Sequence, residues 1–139
     1  MEQNYLSALE RQFLKSEYIS IAKTSFRMLS APSRGYEGAR LFCFVLKSER
    51  QGTELLKKLA DYANSVAFYD GDKKDRVCVI ALFEAPSLKL APSRESGALI
   101  LPCAFDTEKQ RLILPDSLPL LRREEFKKLS AFTKNIFKG

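Results

Sequence analysis

The stretch that decides the fold is residues 39–47, which have the sequence ARLFCFVLK. This run is apolar without the alternation of a half-exposed strand, so it predicts a central strand buried on both faces. Residues 76–83, RVCVIALF, repeat the pattern. Between the two runs, residues 48–64 place apolar side chains at helical spacing, and Ser48 with Gln51 fits a capping box. The sequence therefore predicts a buried strand, a helix and a second buried strand.

Two hairpins are predicted after this helix. A short strand at residues 65–69 precedes a polar turn and the strand at 76–83, and the strands at 98–105 and 111–114 flank a second polar turn. Pro102 indicates an edge position or a bulge in its strand, because proline has no N–H for the ladder. A single crossover helix followed by hairpins indicates the α+β class, with a mixed, mostly antiparallel sheet of about five strands.

Helices are predicted at both ends of the chain. Residues 4–29 carry two apolar faces that point in different directions on one helical wheel. They therefore predict two helices with a break near Ser16, which would be the N-cap of the second. Residues 120–137 predict an amphipathic helix that packs an apolar stripe on the sheet. The stripe consists of Leu121, Phe126, Leu129, Phe132, Thr133, Ile136 and Phe137.

The length predicts one domain. A chain of 139 residues buries a core of its own without disulfides or metals. Hydrophobic residues at 45% and charged residues at 29% are ordinary for a globular protein and exclude wholesale disorder. Within the single domain 1–139 we expect N-terminal helices at 1–29, a sheet core with one helix at 39–115, and a basic amphipathic helix at 116–139.

The composition excludes several kinds of catalytic site. Histidine is absent, which removes Ser-His-Asp and Cys-His catalysis and His-ligated zinc. Cys43, Cys78 and Cys103 are widely spaced in apolar stretches and form no CxxC pair, a pattern typical of small buried thiols. No signal peptide or membrane span is predicted, so we expect a reduced, cytoplasmic location. The sequence predicts no catalytic residue, no metal site and no cofactor.

One carboxylate cluster keeps an enzymatic alternative open. Asp70, Asp72 and Asp75 lie in one turn, where they could hold Mg²⁺ or Ca²⁺. The spacing fails the EF-hand pattern, because Lys74 takes the fifth loop position and Ala81 takes the twelfth. A solvated hairpin turn is the favoured interpretation, and a small metal-dependent enzyme is the alternative.

Positive charge collects on the C-terminal helix. The chain has 23 Lys and Arg against 17 Asp and Glu, for a net charge of +6. At about 100° per residue, four cations share a narrow ridge beside the apolar stripe: Arg123, Lys127, Lys134 and Lys138. Three further cations extend the ridge: Lys23, Arg27 and Arg34. A row of cations suits a polyanion, because each neutralised phosphate releases counterions. We therefore expect a non-catalytic module that contacts a nucleic-acid backbone.

Other interpretations of the same residues stay open. A basic helix face can be merely solvated, or can meet an acidic protein or an anionic membrane. Leu6, Leu9 and Phe13 share an apolar face of the first helix, so the chain could instead be an adaptor subunit that docks on a protein partner or on a second copy of itself. Tyr36 and Tyr69 lie in or beside loops and are the candidates for exposed rings, which is too few to predict a base-stacking platform.

Overall fold

The computed structural model describes residues 4–21, 24–31, 36, 38–47, 52–71 and 77–137. The described chain contains three helices and seven strands. In chain order, these elements are α1 (Asn4–Gln12), β1 (Lys15–Ile21), β2 (Thr24–Ser30), β3 (Arg40–Leu46), α2 (Thr53–Tyr69), β4 (Val77–Glu84), β5 (Ser93–Glu95), β6 (Ala98–Asp106), β7 (Arg111–Ile113) and α3 (Arg123–Ile136). The predicted α+β class is confirmed, with more strands than expected.

The seven strands form one mixed sheet in the order β1-β2-β3-β4-β6, with β5 and β7 both paired to the outer side of β6. β3 runs parallel to β4 and β4 runs parallel to β6, whereas the other ladders are antiparallel. Parallel neighbours need a crossover connection, and α2 supplies the one between β3 and β4. Residues 85–92 and β5 make the return from β4 to β6.

The three parallel strands are buried on both faces, as their apolar runs predict. Every residue of β3 and β6 is buried, and so is every residue of β4 except Glu84. Phe42 and Phe44 point to the side that α2 covers, whereas Leu41 and Cys43 point to the side that α1 and α3 cover. Burial of one large apolar side chain contributes about 1.5–3 kcal/mol, so this layer dominates the stability of the fold.

The second predicted N-terminal helix is wrong, because Lys15–Ile21 and Thr24–Ser30 pair as the antiparallel strands β1 and β2. Ile19 lies opposite Phe26 in this hairpin, and Ser16, which was predicted as an N-cap, lies inside β1. Ile19 and Phe26 face α2, whereas Leu29 faces the α1 side. Pairing with β3 satisfies the β2 backbone and buries apolar side chains on both faces of the sheet. The gain from strand pairing and burial outweighs the helix formation that the spacing of the same residues favours.

The predicted strand at residues 65–69 is also wrong, because α2 continues to Tyr69. Ala67 is 1% exposed and packs against the sheet. Just after the helix, Asp70 forms an ion pair with the buried Arg40 at the start of β3, and a cation is favourable at the C-terminal end of a helix. β4 therefore follows a helical crossover and is parallel to β3, not the second arm of a hairpin. The predicted capping box lies outside the described residues.

The predicted hairpin of β6 and β7 is confirmed, but Pro102 lies in an interior strand and not at an edge. On the outer side of β6, β5 pairs with residues 98–100 and β7 pairs with residues 104–106. The carbonyl oxygen of Phe105 accepts the N–H of Ala85 at 3.2 Å, on the β4 side. By alternation, the nitrogen of Pro102 points to the outer side, between the residues that β5 and β7 pair. The missing N–H therefore costs no ladder hydrogen bond.

The packing of α3 predicts that alanine substitutions at two residues of the expected apolar stripe lower the free energy of unfolding by different amounts. Phe126 is 1% exposed, whereas Leu121 precedes the helix and is 69% exposed, contrary to expectation. We expect Phe126→Ala to lower the free energy of unfolding by about 3–5 kcal/mol, because it leaves a cavity between α3 and the sheet. Leu121→Ala should change that free energy by less than about 0.5 kcal/mol. Urea denaturation followed by circular dichroism measures both, and equal effects would contradict this packing.

Candidate functional site

α3 turns most of its predicted apolar stripe toward the sheet. Its buried residues are Phe126, Leu129, Thr133 and Ile136. The helix begins after Arg122, whose φ of 61° is left-handed and whose Nε donates to Oε1 of Glu125 at 2.6 Å. Glu125 lies in the first turn, where the helix dipole favours negative charge. Packing of the stripe leaves one side of α3, beside the buried residues, exposed to solvent.

Three of the predicted ridge cations lie on that exposed side of α3: Arg123, Lys127 and Lys134. We call these three residues the basic ridge. The Nζ of Lys127 lies 3.9 Å from a carboxylate oxygen of Glu124, and the two side chains are 57% and 82% exposed. A surface ion pair of this kind contributes at most about 1 kcal/mol to stability, so Glu124 competes only weakly with a phosphate for Lys127. Arg123 donates from Nη2 to the Leu118 carbonyl at 2.8 Å. Lys134 has no carboxylate partner within the described part of the chain.

The other predicted cations do not extend the basic ridge among the described residues. Arg27 donates to a carboxylate oxygen of Glu10 at 3.0 Å and to the hydroxyl of Tyr18 at 2.7 Å, and its guanidinium lies 5.0 Å from the centre of the Tyr18 ring. It belongs to β2, three strands and roughly 14 Å away from β6, on which α3 packs. The remaining predicted cations, Lys23, Arg34 and Lys138, lie outside the described residues.

The residues proposed for docking on a partner lie against the chain's own core. Leu9 is 1% exposed and Phe13 is 7% exposed, and both belong to the cluster between the sheet, α1 and α3. Leu6 is partly buried against the same cluster. The apolar face of α1 is therefore occupied within this chain.

The carboxylate cluster is only partly described. Asp70 accepts a hydrogen bond from Nη1 of Arg40 at 2.8 Å, and the Arg40 side chain is 7% exposed. This ion pair links the end of α2 to β3 and gives Asp70 a structural role. Asp72 and Asp75 lie outside the described residues. Among the residues that the structure does describe, no group of three His, Cys, Asp or Glu side chains is placed to hold a metal ion.

The two tyrosines proposed as exposed rings behave differently. Tyr36 is half-buried and packs edge-on against Phe132, with 5.1 Å between ring centres, so its predicted exposure is wrong. Tyr69 is 95% exposed, as predicted, and Phe68 beside it is 70% exposed. These two rings and Ser65 line an open cleft of about 360 Å³. Sequence reasoning missed Phe68, because its segment was predicted to be a strand. The cleft belongs to α2, on the opposite face of the sheet from α3, so it does not join the basic ridge.

The three cysteines are free thiols buried in the core, as predicted. Burial raises the pKa of Cys43 to about 12. The pKa of Cys78 is also raised to about 12, by burial first and then by the negative charge of Glu125. Burial raises the pKa of Cys103 well above its ordinary value, with a smaller contribution from Cys43. Since the thiolate is the nucleophilic form, these cysteines are held in their unreactive state near neutral pH.

Comparison with other proteins adds no functional assignment. The chain matches no protein-family model, no curated protein and no solved structure. Within the described ranges, no helix combines the length and the apolar character needed to cross a membrane.

The buried thiols predict a loss of stability in alkali. An ordinary cysteine ionises near pH 9.0, so above that pH the unfolded chain releases a proton that folded Cys43 keeps until about pH 12. The stabilisation is complete below pH 9 and is lost as the pH rises toward 12, at about 1.4 kcal/mol per pH unit for each thiol. We expect the free energy of unfolding of Cys43→Ala to fall less steeply than that of the parent between pH 9.5 and 10.5. Urea titrations measure both slopes, and parallel slopes would contradict the burial of this thiol.

Proposed function

We propose that the chain is a non-catalytic binding module that contacts the phosphate backbone of a nucleic acid through the basic ridge of α3. The observation that supports this proposal is the packing of α3. Because the phenylalanines of the helix are turned toward the sheet, Arg123, Lys127 and Lys134 are carried together on the side that faces solvent. Three cations whose Cα positions are set by one helix then form a row of positive charge.

The spacing of the row suits a backbone contact. Lys127 and Lys134 are seven residues apart, which corresponds to about 10 Å along the helix axis. Each lysine carries a point charge on a flexible stem, so its ammonium group can reach phosphates at different positions along the backbone. Such contacts hold a nucleic acid without reading its bases, so the proposed binding is electrostatic and independent of sequence.

The adaptor alternative has less support from the contacts of the chain. Its docking face on α1 was proposed from Leu6, Leu9 and Phe13, and Leu9 and Phe13 already fill the core beneath that helix. Docking through these residues would require α1 to leave the sheet and expose them.

The salt dependence of binding tests the proposal. If the three ridge cations neutralise about three phosphates, the affinity for a duplex of arbitrary sequence should fall about forty-fold between 50 and 200 mM monovalent salt. The charge reversal K127E/K134E should weaken binding at 50 mM salt by about tenfold or more, and by the same factor for unrelated sequences. Fluorescence anisotropy with a labelled duplex measures both effects.

A matched control separates the basic ridge from net charge. Lys57 and Lys58 are exposed on α2, on the opposite face of the sheet, so K57E/K58E makes the same change in total charge. We expect K57E/K58E to bind within about threefold of the parent. Equal losses in the two double variants, or no binding by the parent at 50 mM salt, would refute the proposed function.

A further inference from the structure

The outer edge of β1 is an open pairing surface. β1 is the terminal strand of the sheet, seven residues long, and its outer side meets no other strand in the described part of the chain. The Ala31 N–H donates to the Leu41 carbonyl at 3.0 Å on the β3 side, so by alternation Ser30 directs its backbone groups to β1, where it pairs with Lys15. Lys15, Glu17, Ile19 and Ile21 therefore direct their own backbone groups inward, to β2. By alternation, Ser16, Tyr18 and Ser20 direct their backbone N–H and C=O groups outward. Such groups are a template for another strand.

The side chains on either side of Ser16 are complementary to each other, first in charge and then in apolar character. Lys15 and Glu17 flank Ser16 on the α2 side of the sheet, and neither has a partner of opposite charge among the described residues. Leu14, which immediately precedes β1, and Tyr18 flank it one step further out, and they are 79% and 74% exposed. The contacts with Arg27 described above hold the Tyr18 ring in place before any partner arrives.

We propose that β1 pairs antiparallel with β1 of a second copy of this chain, about a two-fold axis at Ser16. In this pairing Lys15 lies opposite Glu17 of the second copy, and Leu14 lies opposite Tyr18 of the second copy. Because of the two-fold symmetry, each of these contacts occurs twice in the dimer. The Lys15–Glu17 pair occupies a non-hydrogen-bonded position, where Cα atoms are about 4.5 Å apart and side chains approach most closely. The two sheets then continue into one.

The charge pattern identifies the occupant as a second copy and also fixes the register. An axis at Glu17 would place two glutamates opposite each other, and an axis at Tyr18 would place Lys15 opposite Ile21. The axis at Ser16 pairs opposite charges and two exposed apolar side chains together. Since the overlap covers only residues 14–18, we expect a weak and reversible dimer. This proposal does not depend on the proposed nucleic-acid contact.

A charge-swap experiment tests the pairing. Sedimentation velocity of the parent over a wide range of concentrations should show a reversible monomer–dimer equilibrium. K15E and E17K each place like charges opposite one another twice, and each should weaken the dimer by about tenfold or more. The double variant K15E/E17K restores both pairs and should recover the parental dissociation constant within about threefold. K58E, an exposed charge reversal on α2, should leave association unchanged.

Hydrogen exchange on the unmodified protein gives a second measurement that does not depend on the folding of any variant. The outward amides of Ser16 and Tyr18 should become protected as the concentration rises, whereas the outward amide of Ser20 should not, because it lies beyond the overlap. A parent that is monomeric at every concentration would overturn the proposal and would leave this edge to a different partner. A double variant that stays as weak as the single ones, or protection centred on Tyr18, would overturn it as well.

Discussion

Burial of both faces of β3, β4 and β6 is the constraint on which the rest of the structure depends. A parallel pair cannot be joined by a tight turn, so the chain must cross over, and each apolar face must be covered by something. α2 covers one face while it connects β3 to β4. The other face has no crossover helix of its own, and it is covered by α1 and α3, which come from the two ends of the chain.

The orientation of α3 follows from the apolar face of the sheet that it has to cover. Phe126 and Leu129 complete the core over the sheet, so the helix cannot rotate without exposing them. The cations beside the buried stripe are therefore held in a row by apolar packing and not by any interaction among themselves. Arg27 shows the contrast, since its charge lies between Glu10 and the Tyr18 ring and acts within the fold. Equal formal charges thus differ in availability, because neighbouring side chains already engage some of them.

The sequence predicts the elements whose signal is local and misses those set by long-range pairing. The apolar runs of β3 and β4 and the hairpin of β6 with β7 are correct, because continuous burial and a polar turn leave a local pattern. β1 and β2 are misassigned, because apolar residues three and four apart fit a helix as well as a hairpin of which one strand, β2, is buried on both faces. At the candidate site, the inward stripe of α3 is predictable from periodicity alone. The engagement of Arg27 is not, because Glu10 meets it only after β2 has paired and α1 has packed.

The two edges of the sheet are finished in different ways. On the β6 side, two strands of three residues each cover the outer edge, and Pro102 removes the N–H between them, so little of that edge can template another strand. On the β1 side, seven residues without proline form the last strand, of which only Ile19 is buried. The β6 edge is therefore protected against pairing with another strand, whereas the β1 edge is not. The long β1 edge, with Lys15 and Glu17 on either side of Ser16, is therefore the side from which this sheet can be extended.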